Sequence, residues 1–288
     1  MAAFDWYEAT VLADVSTVRQ ALAAMAEGVL EFESLTKAPH GYGGGWRVLD
    51  DGHHYGTIWA GGSHAHPHVL FTGGDAVRGS HLLRSEFAGA HLPTRVDAAE
   101  DYAEPGAYDR IQPIALVVAK ERKVKIDTRG DHLVTMKGRT LMLGSAKSAV
   151  RLRLYDKAEE QRAKFRNDPQ RLAEVPEHLA RLEVQTRPQT RDARLKAAQM
   201  EPVEFFGSAA FTREVMKQVA GLELEPCNLG KVWRQSDDER AYTAVLAQYG
   251  GLFKRMAEVQ GWHALGLQIR DDLAAREAYK LPGSGRRR

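Results

Sequence analysis

The sequence predicts an α+β protein: a mostly antiparallel sheet with one polar face suited to an active site, helices packed on the other face, and a helical C-terminal region. Three observations predict it. Stretches such as "TRVDAAED", "RLRLYDK" and "RLEVQTR" alternate polar and apolar residues with period two, the mark of a half-buried strand. "DVSTVRQALAAMAEGV" repeats instead at helical spacing behind an Asp/Ser start signal. From Gln189 onward the pattern is helical nearly to the end.

In chain order, "FDWYEATVL" reads as a strand and residues 14–28 as a helix stopped by Gly28. The Gly-rich "GYGGG" then leads into two runs joined at Asp51-Gly52, a hairpin turn signal. No Lys-Ser/Thr follows those glycines and a strand comes next, so they are not a phosphate loop. Val69 to Thr72 is a strand, residues 79–89 a short helix, "LPTRVDAAEDY" a strand and residues 107–120 a helix. "KVKIDTRGDHLVTMKGRTLMLGSAKSAVRLRLYDKAEEQ" reads as a meander of short strands joined by Arg-Gly-Asp, Lys-Gly and Gly-Ser turns, and "HLARLEVQTR" as one more strand. Strand-helix-strand order on both sides of residue 103 is compatible with an old duplication. The division expected is 1–188 as the α+β domain, 189–280 as a helical region and 281–288 as a basic disordered tail.

With 288 residues, 43% hydrophobic and 27% charged, the chain has enough apolar content for a substantial core. The lone Cys227 excludes an internal disulfide, the opening "MAAFDWYEAT" lacks a signal-peptide pattern, and no apolar run approaches a membrane span, so a cytoplasmic location is expected. The net charge of +2 conceals segregation. Residues 1–109 carry 6 Lys+Arg against 15 Asp+Glu, whereas residues 110–166 carry 15 against 6. A basic block beside an acidic one suits a polyanion partner and cations held on carboxylates.

Side chains of one parity share a face of a strand. By that rule Arg95, Asp97 and Asp101 lie together with Ala99 between the acids; Arg151, Arg153, Tyr155 and Lys157 lie together; and so do Arg181, Glu183, Gln185 and Arg187. A wet sheet face alone explains alternation, but this many arginines with carboxylates and a tyrosine costs side-chain entropy to order without a ligand. The set suits phosphodiester transesterification. Tyr155 would be the nucleophile, assisted by Arg153 and Lys157, because a hydroxyl of pKa near 10 needs a cation or base to become phenolate. Asp97, Asp101 and Glu183 would hold Mg²⁺ or Mn²⁺. Arg95, Arg151, Arg181 and Arg187, with Lys123, Lys125 and Lys147 of the basic block, would grip DNA phosphates. Tyr102, beside the carboxylate strand, is the alternative nucleophile.

"GRTLMLGSAKSAVRLRLYDKAEE", residues 138–160, resembles the core of the replication initiation factor family, the trans-acting rolling-circle initiators of plasmids and some phages with related mobile-element relaxases. The resemblance runs through Gly138, Thr140, Leu141, Gly144, Ser145, Ser148, Arg153, Tyr155, Asp156, Lys157 and Glu160. It continues in Thr94, Arg95, Asp97, Ala99 and Asp101, and in Arg181, Glu183, Gln185 and Arg187. It implies a site-specific nickase that joins a tyrosine to a 5′ phosphate and frees a 3′ hydroxyl at an origin. It further implies a divalent metal, helicase and polymerase partners, and a homodimer. "GSHAHPHVLFTGG" carries a rival signal, because His66-Pro67-His68 resembles the histidine-hydrophobe-histidine signature of HUH endonucleases. The first resemblance requires no such pair, and Pro67 is disfavoured inside a sheet, which leaves His66 and His68 as alternative ligands. A relaxase acting on a transfer origin, or a non-catalytic DNA-binding regulator on the same fold, are the rival functions.

Overall fold

A computed structural model describes residues 1–25, 29–230 and 237–278; the expected stop at Gly28 and the tail 281–288 lie outside these. The chain divides into two compact units, Met1–Arg234 and Gln235–Arg288.

The first unit is built on a ten-stranded sheet in the order β2-β3-β4-β5-β1-β6-β10-β9-β8-β7, every adjacent pair antiparallel. The strands are β1 (Ala3–Val11), β2 (Leu30–Leu35), β3 (Gly44–Asp50), β4 (His53–Ala60), β5 (His68–Thr72), β6 (His91–Tyr102), β7 (Ile126–Arg129), β8 (Thr140–Leu143), β9 (Val150–Asp156) and β10 (Ala180–Thr186). The path is taken twice. β1 leads to helix α1 (Val15–Met25) and a four-strand meander that returns to pair with β1; β6 leads to α3 (Ala107–Glu121) and a second run that returns through β10 to pair with β6. The two halves meet where β1 pairs with β6.

Alternation decides which face is dry. Tyr7, Ala9, Val11, Val69, Phe71, Val96, Ala98, Leu152, Leu154, Leu182 and Val184 are all at most 1% exposed and face the helices. That layer includes α2 (Gly74–Glu86) on β1 and β5, α3 on β9, and α6 (Arg191–Ala197) on β6. The 3₁₀ segment Pro202–Ser208 packs on β1, β6 and β10, and α7 (Ala210–Ala220) on α3. Tyr7 carries a polar atom into this core, and its hydroxyl donates to His91 Nε2 at 3.1 Å while His91 Nδ1–H donates to the Phe87 carbonyl at 3.0 Å.

Two local readings of the sequence need correction. Residues 157–164, expected to continue the meander, form helix α4 (Lys157–Lys164): the Asp156 carboxylate accepts the Glu159 N–H at 2.8 Å, an N-cap that outweighs the alternating pattern before it. A second short helix, α5 (Pro169–Ala173), follows. Helix α2 begins at Gly74 rather than residue 79, directly after Gly73 at φ 60°, and Gly79 lies inside it because a Cβ there would sit 2.2 Å from the Phe71 ring. Asp51-Gly52 forms the expected hairpin turn, with φ 48° and 74°.

The second unit is a helical hairpin, α8 (Asp237–Gln260) and α9 (Trp262–Ala278), joined at Gly261 with φ 81°. Among the described residues no helix is long and apolar enough to cross a membrane.

Phe205 is fully buried and meets Phe4 edge-on at 5.8 Å, in the 3₁₀ segment that covers the seam between the two halves. Phe205→Ala is expected to cost about 3–5 kcal/mol, read as a lowered urea midpoint with an unchanged slope.

Candidate active site

Register places the polar residues of β6, β10 and β9 in three rows. Asp97 pairs with Gln185 and Gln185 with Arg151; Ala99 with Glu183 and Glu183 with Arg153; Asp101 with Arg181 and Arg181 with Tyr155. The expected parity is therefore correct within the strands, and the small Ala99 leaves room over the middle row; Lys157, expected on the same strand face as Tyr155, is instead the first residue of α4.

Glu183 is the hub. It is 3% exposed, and its Oε2 accepts from Arg153 Nη2 at 3.0 Å and from the Tyr155 hydroxyl at 3.4 Å. Burial pushes its carboxyl up to about 7, against the pull of Arg153, with Asp97 and Asp5 adding to the rise. Asp97, 2% exposed, is raised in the same way by burial. It accepts from Arg95 through both oxygens, at 3.0 and 2.5 Å, and from Gln185 at 3.2 Å. Arg95 itself lies 4.1 Å over the Trp6 ring. Asp101 is held bidentately by Arg181 at 2.6 and 2.7 Å, and Arg181 also reaches Asp5 at 2.5 Å.

Tyr155 is 5% exposed, and burial holds its hydroxyl far above the ordinary tyrosine range, Glu183 adding to the effect and Arg153 opposing it. Its ring is covered by Arg153 at 4.2 Å and approached by Lys157 at 5.6 Å; Lys157 pairs with Glu160 at 2.5 Å. Two cavities of about 530 Å³ flank this group. Tyr155 lines one with Lys137, Arg139, Thr140 and Arg162. Glu183 and Asp97 line the other with Asp5, His53, Asp75 and Lys157. Arg153 belongs to both walls.

As ligands for one cation, the three carboxylates do not fit together. Asp97 and Asp101 stand four residues apart on one strand, roughly 13 Å. Among the described residues no group of three His, Cys, Asp or Glu is arranged to hold a metal. Asp97 and Glu183 alone fit part of a site: both are buried in one cleft, on neighbouring strands, and each carboxyl is pushed up, so that a hard cation would relieve two unfavourable charges.

The histidines do other work. His66 is exposed in the loop before β5. His68 is 7% exposed, stacked on Trp59 at 5.3 Å and 5°, with Nε2 3.9 Å from Glu8. His64 stacks on Tyr42 at 4.0 Å. Tyr102 has the opposite parity to Asp101, pairs with the core residue Ala180 and has its hydroxyl pushed up to about 12, mainly by burial.

The proposed phosphate-gripping residues divide into two groups. Arg95 and Arg181 already hold carboxylates. Arg151 and Arg187 carry buried N–H atoms without partners, and burial lowers both pKa values, with repulsion from Arg187 and Arg129 adding at Arg151. Lys123, Lys125 and Lys147 are exposed. Sequence reasoning missed Asp5, His53 and Asp75, the last two joined by a 2.7 Å bond, because all three come from the other half of the chain.

The fold is similar to that of a rolling-circle replication initiator. The solved initiator protein from Geobacillus stearothermophilus aligns with a TM-score of 0.51, over 80% of this chain and 99% of its own, at 17% sequence identity. At that identity the likeness is one of fold. No protein-family model and no curated protein matches the sequence.

Glu183 predicts a pH effect. Its folded-state pKa of about 7 lies above the ordinary 4.5, so its contribution to stability is fully present below pH 4.5 and is lost as pH rises through 7. Glu183→Gln removes that loss. The unfolding free energy of the variant relative to wild type, read from urea titrations, is expected to rise between pH 5 and pH 8 by an amount on the order of a few kcal/mol.

Proposed function

We propose that this protein is a rolling-circle DNA replication initiator that nicks one strand of origin DNA by tyrosine transesterification. The observation that carries the reading is the Tyr155–Glu183–Arg153 cluster: a nucleophile hydrogen-bonded to a base whose pKa stands near neutrality, the base in turn bonded by a guanidinium. The initiator-like fold supports it.

In this reading Glu183 takes the Tyr155 proton as the phenolic oxygen attacks the scissile phosphorus. The bond from phosphorus to the 3′ oxygen breaks, the 5′ phosphate stays on Tyr155, and the leaving 3′ oxygen takes up the proton held by Glu183. Arg153, and Lys157 beside it, oppose the charge that develops on the phosphoryl oxygens. Asp97, beside Glu183 in the same cleft, would hold Mg²⁺ or Mn²⁺, which when bound polarises the phosphate as a Lewis acid while Glu183 stays available as the base. Arg151 and Arg187, with Lys123, Lys125 and Lys147, would take flanking phosphates. The freed 3′ hydroxyl implies a polymerase, and displacement of the strand a helicase; a homodimer is part of the same proposal.

The test is a suicide oligonucleotide carrying the nick site, incubated with Mn²⁺ and run on a denaturing gel. Wild type should shift as a covalent adduct whose labelled peptide contains Tyr155; Tyr155→Phe, which keeps the ring and loses the oxygen, should bind DNA and give no adduct. Adduct formation should fall to background in Glu183→Gln and disappear with a chelator. An adduct that persists in Tyr155→Phe assigns the chemistry to another residue. Binding should weaken steeply with salt, and Lys123→Ala/Lys125→Ala should reduce the logarithmic slope by roughly one for each phosphate that is no longer neutralised.

A further inference from the structure

The connection between β7 and β8, residues 130–139, takes no part in the chemistry above, yet it is built with care. Leu133 and Val134 at its tip are 91% and 84% exposed, and Met136 beside them is 45% exposed. A lone exposed aliphatic residue is ordinary. Here the backbone is fixed so as to hold two of them outward.

Asp131 does the fixing. Its Oδ1 accepts the N–H groups of Leu133 and Val134, both at 2.9 Å, and its Oδ2 accepts the N–H and hydroxyl of Thr135, both at 2.8 Å. The neck closes through Asp131 N–H to the Lys137 carbonyl at 3.0 Å, and Gly130 lies so close to Gly138 that a Cβ would meet its carbonyl oxygen at 2.2 Å. His132 ties the loop down on both sides, donating through Nε2 to the Arg129 carbonyl at 3.0 Å and accepting through Nδ1 from Gln112 of α3 at 3.2 Å.

We propose that Leu133 and Val134 form a wedge that enters the base stack beside the nick site and holds the DNA strands apart, an inference that rests on the DNA-nicking reading. The surroundings select DNA as the occupant. Arg129 stands at one foot of the loop and Lys137 at the other, both exposed, while Asp131, the acidic residue among 130–139, has both oxygens occupied by the loop itself. A tip of aliphatic residues flanked by cations matches a surface whose interior is stacked bases and whose exterior is phosphate.

Position agrees. Lys137, Gly138, Arg139 and Thr140, the descending leg of the loop, wall the cavity that Tyr155 lines, and Thr140 is the register partner of Tyr155. Val134 is six positions from Thr140, at most about 20 Å of chain, and Thr140 is one strand spacing of about 5 Å from Tyr155, so the tip lies within roughly seven base steps of the Tyr155 backbone. Burial agrees with a wedge: Tyr155 is 5% exposed in the wall of a cavity, a setting better matched by a flexible unpaired strand than by the stiff surface of intact duplex.

The experiment compares the full chain with its Leu133→Ser/Val134→Ser variant on two probes. One is a duplex–single-strand fork with 2-aminopurine at the first paired position, which brightens when that base unstacks; the other is the single-stranded suicide oligonucleotide. Wild type should brighten the fork on binding, and the variant should bind it with the brightening reduced roughly tenfold. Cleavage of the single strand should be unchanged, which also shows that the variant is folded. Equal brightening by both proteins overturns the wedge, as does a wild type that binds the fork without brightening it. A parallel loss of single-strand cleavage overturns it in favour of a role in shaping the Tyr155 cavity. Unchanged brightening with loss of helicase loading overturns it in favour of a protein-docking tip. Wild type that brightens the fork yet forms no adduct leaves the wedge standing and removes the nicking reading instead.

Discussion

The register between β6, β10 and β9 is the constraint on which the candidate site depends. Shifting one strand by a single residue would send its polar row into the helical layer and its apolar row into water. What prevents the slip is the dry face, where Val96, Ala98, Leu152, Leu154, Leu182 and Val184 are at most 1% exposed, with the Thr186 hydroxyl donating to the Val96 carbonyl across the strands. The opposite face could not hold itself in register. Asp97 and Glu183 are buried carboxylates, and although each meets an arginine, burial outweighs the pairing and raises both pKa values. Apolar packing below thus sustains an unfavourable charge arrangement above, the usual relation between a core and a reactive site.

Parity was legible in the sequence because it needs only the period of a strand; pairing between strands was not. Asp97 and Asp101 share a face, but four residues of separation on one strand put them in different rows, a spacing the sequence itself contains; what one strand does not reveal is the pairing that sets Glu183 between Ala99 and Arg153. The same limit hid Asp5, His53 and Asp75. β1 stands next to β6 at the centre of the sheet, a consequence of the whole topology, and that placement brings an N-terminal aspartate against Arg181. β2 went unread because its edge position leaves Glu31 and Glu33 exposed and Leu30 and Phe32 only weakly marked as inward. Helix α4 went unread for a local reason, since the N-cap Asp156 directly continues the alternating run of β9.

The repeated path of the two halves explains how one scaffold carries unlike chemistries. β1, β5 and β4 stand in the first half where β6, β10 and β9 stand in the second. There the wet face presents Glu8, Thr10, His68 and Trp59, and aromatic stacking takes the place of ion pairing: Trp59 on His68, Tyr42 on His64. Spacing alone makes His66 and His68 look like ligands. Their neighbours decide otherwise, because His68 enters its strand against an indole and His66 stays outside in water.

The cations on this face divide by whether a carboxylate holds them. In the central rows the cations are committed: Arg95 to Asp97, Arg153 to Glu183, Arg181 to Asp5 and Asp101. Two residues along β9 from Arg153, Arg151 has Arg187 and Arg129 as its main charged neighbours, and its pKa is lowered, burial leading and their repulsion adding. On the proposed reading this division has a mechanical use. Cations without a carboxylate partner attract a polyanion at long range, where burial and hydrogen-bond geometry matter little. A phosphate reaching the centre must instead displace carboxylates from guanidinium groups that already satisfy them, so strong binding there requires a precise pose, and grip and chemistry are separated on one continuous face.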